Sequence, residues 1–516
     1  MKLSKATYFQ ITAHLILLSF QLMFWNFIID DAFISFRYAK NLFFNQQLVF
    51  NVNETPVEGF SNFLWVLWMT ISFPLNIEII LFSKISGMIF SHLSVIVLYK
   101  LAFKINNSKN FSNVVIIFYV LTPNVALWSI GGLETSLFSF LLLISVYSFI
   151  LDITIRRNKV VKMSPLFFVL LSLTRHEGVI VFGITCIFFL FLLFQNKTAL
   201  VVTKLFHFLY FVGIFSIVYF PYLLWRVLYY NNLLPHTFIA KQGGFSLLSL
   251  AERILFYVPL LIFLFPILFI NVSYYVIHSR FQFRNEKKLY LLLVILTLCI
   301  LLLILTSWMP GFRFTVPILP LAYLLLPKSL NFLMILNKNK KKNTKIRKNV
   351  KILTILAICA SNASLLVTFY PFVQIYGTGI RECNITLGKW ISENTPSNAS
   401  LAVWDAGTIP FYSDIRTIDI YPDSLQDLHL YNNPEDANYI LDQNITFLIL
   451  NDEYFSYIKT DIRFINNYSL IFYAQFYYAD GFYGQDYIYQ IYLFNDFNVS
   501  ESAINALLDS SERFYI

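Results

Sequence analysis

Long apolar runs fill the first 371 residues and constrain the fold more than any other feature of the sequence. A membrane-spanning helix needs about 20 mostly apolar residues. Charged residues make up only 13% of the chain, against about 25% in a typical soluble domain. A soluble multidomain protein is therefore excluded, and we expect a polytopic, mainly α-helical membrane protein. The eleven predicted spans lie at 8–28, 77–99, 112–130, 133–152, 163–174, 178–195, 205–229, 248–277, 289–308, 315–335 and 351–371.

Basic residues cluster between alternate spans and indicate the orientation, because Lys and Arg are enriched in cytoplasmic loops. The alternation holds only if 61–75 does not cross the membrane. That segment is short, contains Trp65 and Trp68 and ends at Pro74, so we interpret it as an interfacial or re-entrant helix. The basic clusters, all predicted to be cytoplasmic, lie at 2–5, 100–109, 156–162, 197–204, 280–288 and 338–351.

The last 145 residues differ in composition from the membrane part. Residues 372–516 carry a net charge of −13, whereas residues 1–371 carry +22. Alternating aromatic segments separated by Asn, Asp, Gly and Pro predict a small soluble α/β domain there. We therefore expect a transmembrane module at 1–371, with a first outer loop at 29–76, and an extracytoplasmic domain at 372–516. The basic pI of about 9.1 reflects membrane sidedness and not nucleic-acid binding.

Acidic residues are rare in the membrane part and concentrate on one face. Residues 1–371 contain ten acids, of which eight are predicted to lie at the outer face. Ionisable groups beside a membrane span are costly and are candidates for function. A single such acid could equally be a solvated interface residue, but eight on one face favour a shared outer cavity. The eight are Asp30, Asp31, Glu54, Glu58, Glu78, Glu134, Glu177 and Glu252.

The adjacent pair Asp30 and Asp31 directly follows the first predicted span. Neighbouring carboxylates repel each other, and on a helix they point in different directions. A carboxylate withdrawn from water has a raised pKa and becomes a competent general base. The alternative interpretation is an Asp pair that only terminates a helix.

The stretch from Asp30 to Trp68, DDAFISFRYAKNLFFNQQLVFNVNETPVEGFSNFLWVLW, resembles the first outer loop of bacterial membrane glycosyltransferases of the GT-C fold. It is most similar to the branch that includes mycobacterial terminal arabinofuranosyltransferases. His176 and His236 depart from this pattern, which usually has Pro and Asn there. Further matching motifs follow in order at 131–135, 173–178, 225–230, 233–237, 313–314 and 405–410.

This resemblance implies transfer of a hexosyl or pentosyl group from a polyprenyl-phosphate carrier to a glycan, lipid or protein outside the cytoplasm. It implies no nucleotide cofactor, and it leaves open a divalent cation at Asp30 and Asp31. An in-line displacement would invert the anomeric carbon while one carboxylate takes the acceptor proton. We expect Asp30 to be this catalytic base and Asp31 to support it or bind acceptor or metal, although the two roles could be exchanged.

The resemblance also implies substrate-binding residues in the outer loops. A departing phosphate needs a fixed cation, and we favour Arg313, which lies in a tight turn between two predicted spans. The outer arginines could instead extend along the membrane surface, and Arg175 could pair with Glu177. Asp405 could face the cavity or close a turn, and we favour the turn. The expected substrate-binding residues are Arg37, Glu58, Glu134, Arg175, Glu177, Arg226, His236, Lys241 and Arg313.

Two other functions are compatible with a polytopic chain. A transporter or lipid flippase would show charges in mid-span and broken helices in two related halves. Here the ionisable residues collect in outer loops, and the halves do not resemble one another. A receptor or assembly protein would not need the first-loop motif. We therefore expect an enzyme in the bacterial cytoplasmic membrane, with a cytoplasmic N-terminus.

The predicted orientation can be tested with a membrane-impermeant thiol reagent. In a chain without its four native cysteines, Asn343→Cys should be labelled only from the cytoplasmic side, because it lies in the most basic loop. Ser500→Cys, in the acidic tail, should be labelled only from outside. Labelling of Asn343→Cys only from outside would contradict the whole arrangement.

Overall fold

Among the described residues, ten helices lie in succession between residues 5 and 230 of the computed structural model. The structure describes residues 5–154, 162–194, 201–232, 292–297, 310–325, 343–421, 426–451, 455–476 and 487–516. The ten helices are α1 (Lys5–Met23), α2 (Asp31–Asn45), α3 (Phe63–Thr70), α4 (Ile79–Asn106), α5 (Lys109–Val120), α6 (Pro123–Ile130), α7 (Thr135–Thr154), α8 (Ser164–Thr174), α9 (Glu177–Phe194) and α10 (Val201–Tyr230).

Several of these helices are long and apolar enough to cross a membrane. Among the described residues five helices pass this test, in α4, α7, α9, α10 and Asn362–Asn394, and α5 with α6 forms a further candidate bent by 59°. The predicted span at 248–277 lies outside the described residues, and those at 289–308 and 315–335 are described only in part. The polytopic helical architecture is confirmed, and the number of eleven spans stays a prediction.

The segment predicted to lie at the interface forms a short helix. The predicted range was 61–75, and α3 has eight residues, which is too few to cross a bilayer. The buried Trp65 indole donates a hydrogen bond to the Gly132 carbonyl at 3.0 Å. Trp68 donates to the Ser86 hydroxyl at 2.9 Å. These bonds fix α3 against the helical bundle.

Polar side chains join the helices inside the bundle. The buried Gln21 amide of α1 donates to Ser91 of α4 at 2.8 Å and to Ser129 of α6 at 2.9 Å. Donors without partners are costly where no water reaches. These bonds therefore satisfy the N–H groups of the Gln21 amide and set the relative positions of three helices.

A mixed sheet with short helices forms the C-terminal part. The strands are β1 (Ser400–Val403), β2 (Arg416–Asp419), β3 (Phe447–Asn451), β4 (Tyr468–Phe476), β5 (Tyr487–Phe494) and β6 (Phe514–Tyr515). Their order is β2-β1-β3-β5-β4-β6, with β1 parallel to β2 and β3 and the other pairs antiparallel. The predicted small α/β region is confirmed, and its predicted strand segments at 399–404, 446–450 and 469–478 overlap β1, β3 and β4.

Helices precede the sheet and lie between and after its strands. They are α11 (Asn343–Gly379), α12 (Thr386–Asn394), α13 (Thr408–Ser413), α14 (Leu428–Asn432), α15 (Ala437–Leu441), α16 (Ser456–Lys459), α17 (Ile462–Asn467) and α18 (Glu501–Ser510), with a π-helical turn at Ile380–Ile385. The predicted domain boundary after residue 371 falls inside α11, next to Pro371. The division into two domains stays a prediction.

Arg37 ties α2 to both the first outer loop and the C-terminal part. Its buried guanidinium donates to the Phe50 and Ile415 carbonyls, each at 2.8 Å, and also to the Pro410 carbonyl and the Asn51 amide oxygen. It also lies 4.5 Å from the centre of the Phe50 ring. These contacts make Arg37 a structural anchor, and its expected role in substrate binding stays a prediction.

Substitution of this anchor should weaken the fold. Arg37→Met leaves several buried oxygens without a donor, and we expect a loss of about 3 kcal/mol of stability. Lys40→Met, one turn along α2, removes the more exposed ion pair with Asp414 and should cost less than about 1 kcal/mol. Thermal unfolding in detergent compares the two variants, and equal effects would contradict the anchoring role.

Candidate functional site

Asp30 lies where the first helix has ended and α2 begins. Its backbone N–H donates to the Tyr376 hydroxyl of α11 at 3.2 Å, and the N–H of Ile29 donates to the Gly131 carbonyl at 3.3 Å. Gly132 has a φ of +87°, and a Cβ there would lie 2.8 Å from Ala32. The Gly131–Gly132 turn therefore packs closely against both sides of the Asp pair.

The Asp30 carboxylate is half-buried and held in a defined orientation. Its Oδ1 accepts a hydrogen bond from the Thr408 backbone N–H at 2.9 Å. Burial raises the pKa of Asp30, and the nearby Asp31 charge raises it further, whereas hydrogen bonds from Thr408 and Asn384 lower it. The net result is a pKa above the ordinary range, as a general base requires.

Asp31 is also half-buried, but its environment differs. Within the described part of the chain, its carboxylate has no hydrogen-bond or ion-pair partner. Its charge still acts on Asp30, on Asp405 and on the guanidinium of Arg313. The two neighbouring acids are therefore distinct, because protein groups orient Asp30 but no described group donates to the Asp31 carboxylate.

Asp405 joins this acidic cluster from the C-terminal part. Burial, followed by the charge of Asp30, raises the pKa of Asp405 to about 7, while the hydrogen bond from Tyr489 opposes the shift. Asp405 is thus close enough to Asp30 for their charges to interact. Nothing in the sequence indicated Tyr489, which lies 84 residues away on β5.

Glu134 is the centre of a buried charge network at the start of α7. Its Oε1 accepts from Arg175 at 2.6 Å and from Arg313 at 2.7 Å, and its Oε2 accepts from Asn62 at 2.9 Å. Burial acts to raise the pKa of Glu134, but the two arginines and Asn62 outweigh it and lower the value to about 2. Glu134 is therefore ionised at neutral pH and holds two arginines, of which Arg313 is close enough to Asp31 for their charges to interact.

Both arginines of this network have further partners. Arg175 donates to the two carboxylate oxygens of Glu177 at 2.6 and 3.2 Å, which forms the Arg–Glu pair considered for this hairpin. Arg313 donates to the Thr135 hydroxyl at 3.1 Å, and its guanidinium lies 5.7 Å from the Trp128 ring centre. The site thus contains two fixed guanidinium groups whose positions depend on Glu134.

Glu58 and Arg226 form a second buried pair. The Arg226 Nε lies 2.8 Å from each Glu58 carboxylate oxygen, and its NH2 group lies 2.8 Å from Oε2. Their side chains are only 3% and 2% exposed. The two residues expected to bind sugar and phosphate therefore bind each other and connect the first outer loop to α10. His236 and Lys241 lie outside the described residues.

Among the described residues, no group of three or more His, Cys, Asp or Glu side chains converges as metal ligands would. Asp30 accepts a hydrogen bond from Thr408, and Asp405 accepts one from Tyr489. A divalent cation at Asp30 and Asp31 stays a prediction, and the chemistry below uses none.

The Glu134 network can be tested through stability. Glu134→Gln removes the carboxylate charge that two buried arginines share, so we expect a loss of about 3–5 kcal/mol at pH 7. Glu177→Gln should cost less, because Glu177 is 29% exposed and Arg175 keeps Glu134. Thermal unfolding in detergent would measure both, and a larger effect of Glu177→Gln would contradict the central role of Glu134.

The pH dependence of stability gives a separate test. The pKa of Glu134 falls from the ordinary 4.5 to about 2 on folding. The stabilisation is therefore present above about pH 4.5 and is lost as the pH falls towards 2. Below pH 4.5 the melting temperature of the wild type should fall more steeply than that of Glu134→Gln, and parallel curves would contradict the assignment.

Comparison with known proteins gives few sequence matches. A family model described as a domain of unknown function (DUF8728) matches residues 373–492, which form only the C-terminal part. No curated protein sequence matches the chain. The fold is more informative than the sequence, because similar solved structures extend over most of the chain.

Two membrane enzymes illustrate this similarity. The crystal structure of ArnT from Cupriavidus metallidurans bound to undecaprenyl phosphate gives a TM-score of 0.56 at 11% identity, and covers 94% of this chain and 97% of that chain. The apo oligosaccharyltransferase of Archaeoglobus fulgidus gives 0.57 at 13% identity, and covers 92% and 74%. The arabinofuranosyltransferase-like branch stays a prediction. The expected architecture is confirmed: this chain has the GT-C fold of polytopic membrane glycosyltransferases.

Proposed function

We propose that the chain is an integral-membrane glycosyltransferase that moves a sugar from a polyprenyl-phosphate carrier to an extracytoplasmic acceptor. The observation that carries this proposal is the Asp30–Asp31 pair at the end of the first span, where Thr408 orients one carboxylate and the other has no partner among the described residues. Arg313, which Glu134 fixes, is close enough to Asp31 for their charges to interact.

Asp30 is the proposed catalytic base. The acceptor hydroxyl oxygen attacks the anomeric carbon, its proton passes to the Asp30 carboxylate, and the bond to the phosphate oxygen breaks with its electron pair. The raised pKa of Asp30 suits this proton transfer. In-line displacement inverts the anomeric centre, and one base is enough because phosphate is a good leaving group.

Arg313 is the proposed cation for the departing phosphate. Fixed guanidinium groups stabilise developing phosphate charge without reorganisation. Arg313 lies in the turn Pro310–Thr315, is held by Glu134 and is close enough to Asp31 for their charges to interact. Arg175 donates to the same Glu134 oxygen. Arg313 therefore brings positive charge close to Asp31, the neighbour of the proposed base.

The fold comparison supports a lipid-phosphate donor. The ArnT structure contains undecaprenyl phosphate. A structure of the Archaeoglobus fulgidus oligosaccharyltransferase AglB contains dolichol-phosphate and an inhibitory peptide, and has a TM-score of 0.56 at 14% identity. We propose the same class of carrier here, with a glycan, lipid or protein of the cell envelope as the acceptor.

The proposed location is the bacterial cytoplasmic membrane. The N-terminus is cytoplasmic, and residues 372–516 form an extracytoplasmic domain on the transmembrane module 1–371. The charge difference between the two parts supports this arrangement, since the membrane part carries the basic clusters and the C-terminal part is acidic.

Isosteric substitution of each acid tests the proposed base. Asp30→Asn should lower transfer about 10²- to 10⁴-fold, the usual contribution of a general base. Asp31→Asn should also lower transfer, with a larger effect on the KM for the acceptor. The substrate is a pool of polyprenyl-phosphate sugars labelled metabolically with tritiated sugar, supplied in proteoliposomes with cell-envelope acceptors.

The matched control is Asp414→Asn, which changes an exposed acid that pairs with Lys40 and should transfer at the wild-type rate. Free polyprenyl phosphate and labelled product are measured together. Transfer by Asp30→Asn at the wild-type rate would show that Asp30 is not the catalytic base.

A further inference from the structure

The turn Asp405–Thr408 of the C-terminal part contacts the Asp30 carboxylate directly. The bonded residues Asp30 and Thr408 are 378 positions apart in the chain. A Cβ at Gly407 would lie 2.2 Å from Asp30 Oδ2 and 2.3 Å from its backbone oxygen. No ordinary side chain fits at that distance, so the carboxylate occupies the space that glycine leaves.

The turn itself is held from several sides. Asp405 accepts a hydrogen bond from the Tyr489 hydroxyl of β5. The N–H of Phe411 donates to the Gly407 carbonyl at 3.2 Å, which begins α13. Arg37 of α2 donates to the Pro410 carbonyl. A group held by the sheet, by its own helix and by α2 has little freedom to move.

Aromatic packing fixes α13 on the helix that follows Asp30. The Phe33 ring lies 5.7 Å from the Phe411 ring and 5.9 Å from the Tyr412 ring. Phe33 and Phe411 are both buried. Because Phe33 lies one turn after Asp30, this contact holds the Gly407–Thr408 backbone next to the Asp30 carboxylate.

We propose that Gly407 and Thr408 are positioning residues for the transfer reaction, and that the C-terminal part thereby completes the catalytic centre. This inference rests on the proposed function of Asp30 as base. Without the Thr408 N–H, the Asp30 carboxylate would lose its backbone donor next to the like charge of Asp31. A displacement of about 1 Å in a reacting group can cost about 10²-fold in rate.

Kinetics of Gly407→Ala test the positioning role. The added methyl group should displace Asp30 and lower kcat about 10²-fold, while the KM for the labelled polyprenyl-phosphate sugars changes less than about 3-fold. The control is Gly183→Ala in α9, where a Cβ meets no atom within 4 Å and kcat should be unchanged. An unchanged kcat for Gly407→Ala would overturn the proposal.

Thermal unfolding of the same variants separates positioning from folding. If Gly407→Ala loses melting temperature and donor affinity together with kcat, Gly407 acts in folding alone and the proposal is overturned. A melting temperature close to that of Gly183→Ala, combined with the selective loss of kcat, supports it.

Hydrogen exchange provides a readout that needs no activity. In full-length Asp30→Ala, the amide of Thr408 loses its acceptor and should exchange about 10-fold faster, while peptides from β3 and β5 remain as in the wild type. Unchanged exchange at 406–409 would overturn the proposal even if transfer is observed. If the Thr408 amide exchanges faster in Asp30→Ala but the wild-type protein shows no transferase activity, the contact is supported and the proposed function is rejected.

Discussion

The cost of burying charge near a membrane shapes this molecule more than any other constraint. An ion transferred from water into a protein interior loses several kcal/mol of solvation unless partners replace the water. Glu134 meets this requirement with Arg175, Arg313 and Asn62, and Glu58 meets it with Arg226. Glu58 and Asn62 belong to the first outer loop, and Glu134 lies just before α7. The arginines come from the turn before α9, from α10 and from the turn Pro310–Thr315. Charge pairing therefore decides how the outer ends of the helices meet.

The architecture could be predicted from sequence because it depends on composition over long windows. Apolar runs gave the helices, and the alternation of basic loops gave an orientation that labelling can test. The Asp30–Asp31 pair and the motif around it also favoured the first outer loop as the site, which stays a prediction. The bend between α5 and α6 was not predicted, since 112–130 reads as one apolar run although Pro123 starts a second helix.

The partners of individual charges could not be predicted, because pairing depends on distances between segments far apart in sequence. Glu58 and Arg226 were expected to contact substrate separately, yet they bind each other across 168 positions. Glu134 was identified, but its position between two arginines was not. The Asp405 motif was noticed, and only the fold shows that its turn contacts Asp30. This contact is made by the backbone of Gly407 and Thr408. Backbone groups add no charge and no periodic pattern to a sequence, so the contact could not be inferred from it.

The central claim is that the chain cleaves a lipid-linked sugar at this site rather than moving it intact across the membrane. The most direct measurement follows a polyprenyl-phosphate sugar labelled in both sugar and phosphate, in sealed proteoliposomes that contain an envelope acceptor and no nucleotide. The account predicts one free polyprenyl phosphate for each sugar joined to acceptor. Passage of the doubly labelled lipid between leaflets without cleavage would contradict it and would assign the chain to lipid transport.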